Sequence, residues 1–144
     1  MLQVYSNNIT VNVPADGVAF IPFNNIGKDK GCDSILSAPG TIQINRQGVY
    51  DSHVNASVSP AVAGDYIVQL YVNGVAVPEA MARFTGVADS YESLSFEDLV
   101  TVARGNNQCC YSSPTLLQVG IYSVGDVTGD VTFANISNLV TRIC

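Results

Sequence analysis

Tryptophan is absent, histidine occurs once, and six basic side chains face twelve acidic ones in 144 residues. Each scarcity removes a class of function. The net charge of −6, with Lys28, Lys30, Arg46, Arg83, Arg104 and Arg142 scattered along the chain, gives no cationic face for a phosphate backbone. Nucleic acid is therefore not expected as a partner. A lone His53 cannot supply the histidine cluster of a cupin-type metal site. Any Ser-His-Asp or Cys-His nucleophile would have to be built on that one residue. Gly27-x-x-x-Gly31 lacks the Lys-Ser/Thr of a phosphate-binding loop. No run approaches the ~20 apolar residues that span a bilayer, so no membrane partner is expected. The first eight residues, Met-Leu-Gln-Val-Tyr-Ser-Asn-Asn, have neither the basic nor the apolar region of a secretory signal. Synthesis in the cytoplasm is expected.

Charged residues make up only 12% of the chain and hydrophobic ones 47%, which excludes disorder. The deficit in charge is filled by Ser, Thr, Asn and Gln. That composition suits a β-sandwich with neutral polar outer faces, or a subunit that hides surface in an oligomer. The carboxylates form three close sets: Glu92 with Glu97-Asp98, Asp29 with Asp33, and Asp126 with Asp130. None stands beside a sugar-binding aromatic platform, and Asp126-Val-Thr-Gly-Asp130 lacks the order of an EF-hand calcium loop. All read as solvated turn acids. No enzyme activity, cofactor or metal is expected. Cysteines stand at 32, 109, 110 and 144. The adjacent Cys109-Cys110 pair bridges itself only with backbone strain. Buried free thiols and disulfides with Cys32, with Cys144 or across subunits all stay open; zinc lacks a Cys-x-x-Cys spacing. Asn8-Ile-Thr10, Asn55-Ala-Ser57 and Asn135-Ile-Ser137 fit the glycosylation triplet but need only the composition to explain them.

What the chain does have is turn-punctuated alternation. Asn73-Gly74 separates Tyr66–Val72 from Val75–Val77, and Asn-Gly meets the positive φ of a type I′ hairpin turn. Pro14-Ala15-Asp16-Gly17 and Pro39-Gly40 are further turns. Strands are expected in residues 2–13 and over Val18–Phe23, Thr41–Asn45, Val49–Ser59, Tyr91–Ala103, Thr115–Val124 and Val131–Cys144. Asp98 interrupts its run and predicts a bulge or bend. Gly27–Gly40 reads as loop, the strand after Asn73-Gly74 fades at Pro78, and Glu79–Arg83 has the composition of a helical turn. Gly105–Pro114 reads as a polar loop. The pattern is one all-β domain, an antiparallel jelly-roll sandwich of about eight to ten strands. Residues 1–17 form an N-terminal arm or first strand and 18–144 the jelly roll. His53, among Ser52, Asn55 and Ser57, faces outward as a surface or interface residue.

Three segments resemble the C1q/TNF-like jelly roll: Ile42-Gln-Ile-Asn-Arg-Gln-Gly48-Val-Tyr50 leading into Val54–Val58, the hairpin Ile67–Val77, and the closing Val131–Cys144. The variety most similar is the bacterial one, found at the tips of collagen-like spore-surface glycoproteins and in phage virion proteins. The resemblance implies a non-enzymatic homotrimer with apolar and aromatic side chains near a threefold axis. The chain has no Gly-X-Y stalk, and with only a short arm before the jelly roll it better suits a virion component made in the host cytoplasm. Such a component would decorate a capsid or form a head or tail appendage, with other virion proteins such as the major capsid protein as partners. The alternatives are a receptor- or glycan-binding tip and a bacterial spore or cell-surface structural protein. Tyr50, Tyr66, Tyr71 and Tyr122 are the candidates for the axis, where a ring of His53 is a further option. Tyr91, Asn106, Asn107 and Tyr111 are the candidates for a ligand loop facing a host-surface glycan or receptor.

Overall fold

The computed structural model describes residues 1–31, 34–102, 115–125 and 127–143. Among these residues there is no helix, and so none long and apolar enough to cross a membrane. The strands are β1 (Leu2–Val13), β2 (Ala19–Phe20), β3 (Asn25–Asp29), β4 (Ser34–Ala38), β5 (Thr41–Ile44), β6 (Gly48–Pro60), β7 (Gly64–Val72), β8 (Val75–Gly86), β9 (Glu92–Val102), β10 (Thr115–Val124) and β11 (Gly129–Arg142). They form two antiparallel sheets. The front sheet runs β3-β1-β11-β6-β9 and the back sheet β4-β5-β10-β7-β8, with β2 pairing with β10 beside that path. From β5 onward the chain crosses to the front for β6 and returns to the back for the β7–β8 hairpin. It then alternates front, back, front through β9, β10 and β11, which is jelly-roll winding.

Period-2 alternation fills the space between the sheets. In β6 the residues Tyr50, Ser52, Val54, Ala56 and Val58 are buried, while those between them face out. Leu2, Val4, Phe23, Phe133, Leu117 and Ile121 are fully buried, and Tyr66 stacks on Phe84 with ring centroids 5.5 Å apart. A polar pair interrupts this core: Ser52 Oγ donates to Asn138 Oδ1 at 2.8 Å. Asp98 lies opposite Ser52 in the register, so the break in hydrophobic parity at Asp98 falls beside this polar pair, which Ser52 makes diagonally with Asn138. The expected bulge there is absent. β9 pairs with β6 from Glu92 to Val102 without a register shift.

The true irregularities lie elsewhere. Asn8 has φ 52°, a left-handed conformation that asparagine tolerates better than most residues. At the same level, the β11–β6 register shifts between Phe133 and Asn135. Inward parity changes there in both strands, from Leu2, Val4 and Ser6 to Val11 and Val13, and from Val131 and Phe133 to Ile136, Asn138 and Val140. β1 is thereby a full partner of β3 and β11 rather than a free arm. Gly27–Gly40, read as loop, contains most of β3 and all of β4. The Asn73-Gly74 turn has φ values of 51° and 80° as a type I′ turn requires. Its return strand does not stop at Pro78, and Glu79–Arg83 is not helical; β8 continues to Gly86. β8 is the sheet edge, where proline sacrifices no ladder bond. A register shift accommodates it, and Gln69 Nε2 donates to the Val77 carbonyl at 2.9 Å within that bulge.

Farther along the same strand pair, Asp65 accepts hydrogen bonds from Thr85 Oγ1 (2.7 Å) and Arg83 Nη2 (2.8 Å). The Thr85 bond first, and the Arg83 bond second, hold its carboxyl below the ordinary aspartate value. Its contribution to stability is complete above the unfolded-state value and fades as pH falls through the lower folded-state value. Thr85→Val is expected to raise the Asp65 titration midpoint, read by carboxyl carbon NMR. An unmoved midpoint would assign the effect to Arg83 alone.

Candidate functional site

Two surfaces stand out. The first is one end of the outer face of the front sheet. Because Tyr50, Ser52, Val100, Val102, Asn138 and Val140 are buried, parity turns Val49, Leu99 and Leu139 outward. Leu99 lies opposite Asp51, and Asp51 opposite Thr141; Ile143 N donates to the Val49 carbonyl at 2.7 Å. Leu99 and Ile143 are each 57% exposed. Four apolar side chains thus alternate with Asp51, His53, Thr101 and Thr141 at one end of a face whose other end carries Asn55, Ser57, Ser93, Ser95 and Asn135. Beside the patch, His53 Nδ1 lies 3.4 Å from Glu97 Oε2. Asp51 Oδ1 is buried with no hydrogen-bond partner among the described residues.

The second is a surface cavity of about 420 Å³ on the outer face of the back sheet. Its floor is Gln69 and Tyr71 of β7, Ala76 of β8 and Tyr122 of β10; its rim is the Ala15–Val18 turn with Ser123 and Gly125. Gly120 explains how that turn lies on the sheet. A Cβ there would stand 2.5 Å from Val18 Cγ1 and 2.9 Å from Tyr71 Cε2, so only glycine lets Val18 and the Tyr71 ring close over β10. Phe20 meets Tyr71 edge-on at 5.2 Å. Gly120→Ala is expected to cost about 1–3 kcal/mol by overpacking and to widen the cavity, measured by urea denaturation. A change below ~0.5 kcal/mol would mean that the 15–20 segment adjusts freely.

The four tyrosines expected at an oligomer axis separate into two kinds. Tyr50 and Tyr66 lie inside the sandwich, 1% and 0% exposed, and each hydroxyl donates to the carbonyl four residues earlier, Arg46 at 2.7 Å and Val62 at 2.6 Å. Their rings have no surface left for a neighbour, and that expectation is corrected. Tyr71 and Tyr122 meet in the cavity of the back sheet, and burial first, then the neighbouring Tyr122, push the Tyr71 phenol up. The patch of Val49, Leu99, Leu139 and Ile143 escapes sequence reading because alternation does not reveal which of a strand's two faces is covered. Tyr91 is 56% exposed just before β9. Asn106, Asn107 and Tyr111 lie outside the described residues, as do Cys32, Cys109, Cys110, Cys144 and Asp126. Asp130 accepts from Asn12 Nδ2 at 3.0 Å. Among the described residues no three His, Cys, Asp or Glu side chains gather as a metal site.

No family model matches the sequence, and no curated protein does. Among solved structures the fold is similar to the globular domain of zebrafish complement 1qA, with a TM-score of 0.62 at 16% identity over 99% of this chain and 96% of that one. It is also similar to the PRD1 vertex protein P5, with a TM-score of 0.64 at 12% identity over the same shares of each chain. The chain has the C1q/TNF-like jelly-roll fold.

Proposed function

We propose that this C1q-like jelly roll is a non-enzymatic structural protein of a phage virion, a homotrimer that decorates the capsid or forms a short head or tail appendage. The observation that carries the reading is the apolar end of the front sheet. Leu99 and Ile143 are 57% exposed in the protomer and Val49 and Leu139 are half-buried; covering a fully exposed side chain of this size is worth roughly 1.5–3 kcal/mol, and these four gain a part of that each. A threefold axis there would cover all of them in a closed ring. His53, paired with Glu97, would sit at the margin of the interface. The likeness to the PRD1 vertex protein supports the virion setting, with the major capsid protein or another virion protein as the second partner. The test is sedimentation of intact particles from a lysate, with an antibody against this chain as the probe. The chain is expected in the particle band. Its presence only among soluble proteins would favour the spore or cell-surface alternative.

A further inference from the structure

The back-sheet cavity has features that core packing does not account for. The two tyrosines in the sandwich interior spend their hydroxyls on backbone carbonyls, as buried phenols must. Tyr71 is 7% exposed, but it and Tyr122 line the back-sheet cavity instead of the sandwich interior. The exposed Asp16 carboxylate stands on the rim. Gln69 is fixed by its bond to the Val77 carbonyl. Two phenols, an amide and a carboxylate line one opening, with Ala76 and Val18 as apolar wall.

We propose that this cavity binds a neutral hexopyranose, such as a terminal sugar of a surface glycan. Its volume falls in the range of small-ligand sites, roughly 300–1,000 Å³. No Lys or Arg lines it and Asp16 adds negative charge, so phosphorylated or acidic ligands are disfavoured. A wholly apolar ligand would strip water from the phenols and the carboxylate without replacing their hydrogen bonds, at a cost that each group adds to. A quaternary amine could rest on the Tyr122 face, but it carries no N–H or O–H to donate to Asp16 or Gln69 and no acceptor for the two phenols. A sugar supplies what the site lacks. Adjacent hydroxyls donate to Asp16 and Gln69 and accept from the two phenols, and the C–H face of the ring rests on Tyr122. The cavity is on the sheet opposite the apolar patch, so monomer and trimer carry it alike. Failure of binding leaves the assembly reading standing, and failure of assembly leaves the site.

The test is a titration of the labelled protein, followed by amide NMR, with methyl α-glucopyranoside, methyl α-mannopyranoside and methyl β-galactopyranoside. Tetramethylammonium is the control. At least one sugar is expected to give saturable shifts around Asp16, Tyr71, Ala76 and Tyr122, with a Kd on the order of 1 mM. Asp16→Ala is expected to weaken that binding about tenfold and Tyr122→Phe by about fivefold. Both side chains are at least partly exposed, and unchanged circular dichroism confirms that the variants fold. The proposal is overturned by no saturable shift with any of the three sugars, by shifts that survive undiminished in both variants, or by saturation with tetramethylammonium alone.

Discussion

Leu99→Asp is expected to convert the proposed trimer into a folded monomer of 15.2 kDa. Leu99 is 57% exposed on the outer face of β9, opposite Asp51. In the free protomer its replacement touches no core residue but sets a carboxylate opposite Asp51, so folding stability should fall by about 1 kcal/mol, too little to unfold the domain. At a threefold axis the same change acts three times. Each copy loses the covering of a half-exposed leucine, a part of the roughly 1.5–3 kcal/mol that full burial is worth. Each also brings a carboxylate out of water beside Asp51, and an unpaired buried charge costs several kcal/mol. The sum exceeds what small trimers can lose and still assemble at micromolar concentration. The readout is mass by light scattering, with a urea midpoint as the control for folding. A Leu99→Asp protein that keeps three-protomer mass would remove this patch from the interface.

Gly40→Ala should produce the largest loss of stability among single exchanges at the glycines of positive φ. Gly40 sits in the Pro39-Gly40 turn between β4 and β5 with φ 84°, and its N donates to the Phe23 carbonyl at 2.9 Å. A Cβ built there would stand 2.5 Å from the Ile21 carbonyl oxygen. That neighbour is backbone and cannot swing aside. The left-handed conformation costs a non-glycine residue about 1 kcal/mol, and the overpacking adds about 1–3 kcal/mol. The expected total of about 3 kcal/mol is a large part of a typical stability of roughly 5–15 kcal/mol. Gly74 provides the comparison, because its φ is 80° but nothing lies within 4 Å of the place a Cβ would take. Gly74→Ala should therefore show the conformational cost alone. Equal urea midpoints for the two variants would mean that the backbone at Ile21 moves freely, contrary to its full burial.

Much of the fold is legible in the sequence because the signals are local. Asn73-Gly74 dictates its turn through the φ values that only a few residues accept, and the run Tyr50 to Val58 shows its buried face by alternation alone. Pro78 misleads, because a proline ends a central strand but not an edge strand, and edge position is a tertiary property. Asp98 misleads for a related reason: a polar inward residue is tolerated beside Ser52 and Asn138, a row that exists only once β6, β9 and β11 are adjacent. The shift of parity at Asn8, matched by the three-residue step from Phe133 to Ile136, is present in the sequence as a change of phase in two strands. The site is less legible. Tyr50 and Tyr71 look alike in alternating runs, but one faces its own sandwich and the other the cavity under the Ala15–Val18 turn. Only the docking of that turn over Gly120 distinguishes them.

The most direct test of assembly through the front sheet is the mass of the unmodified protein in solution, with and without reductant. A value three times the 15.2 kDa protomer mass in both conditions is the expected result, since the patch of Val49, Leu99, Leu139 and Ile143 needs no covalent help. A protomer mass in both conditions, at concentrations well above micromolar, would contradict it.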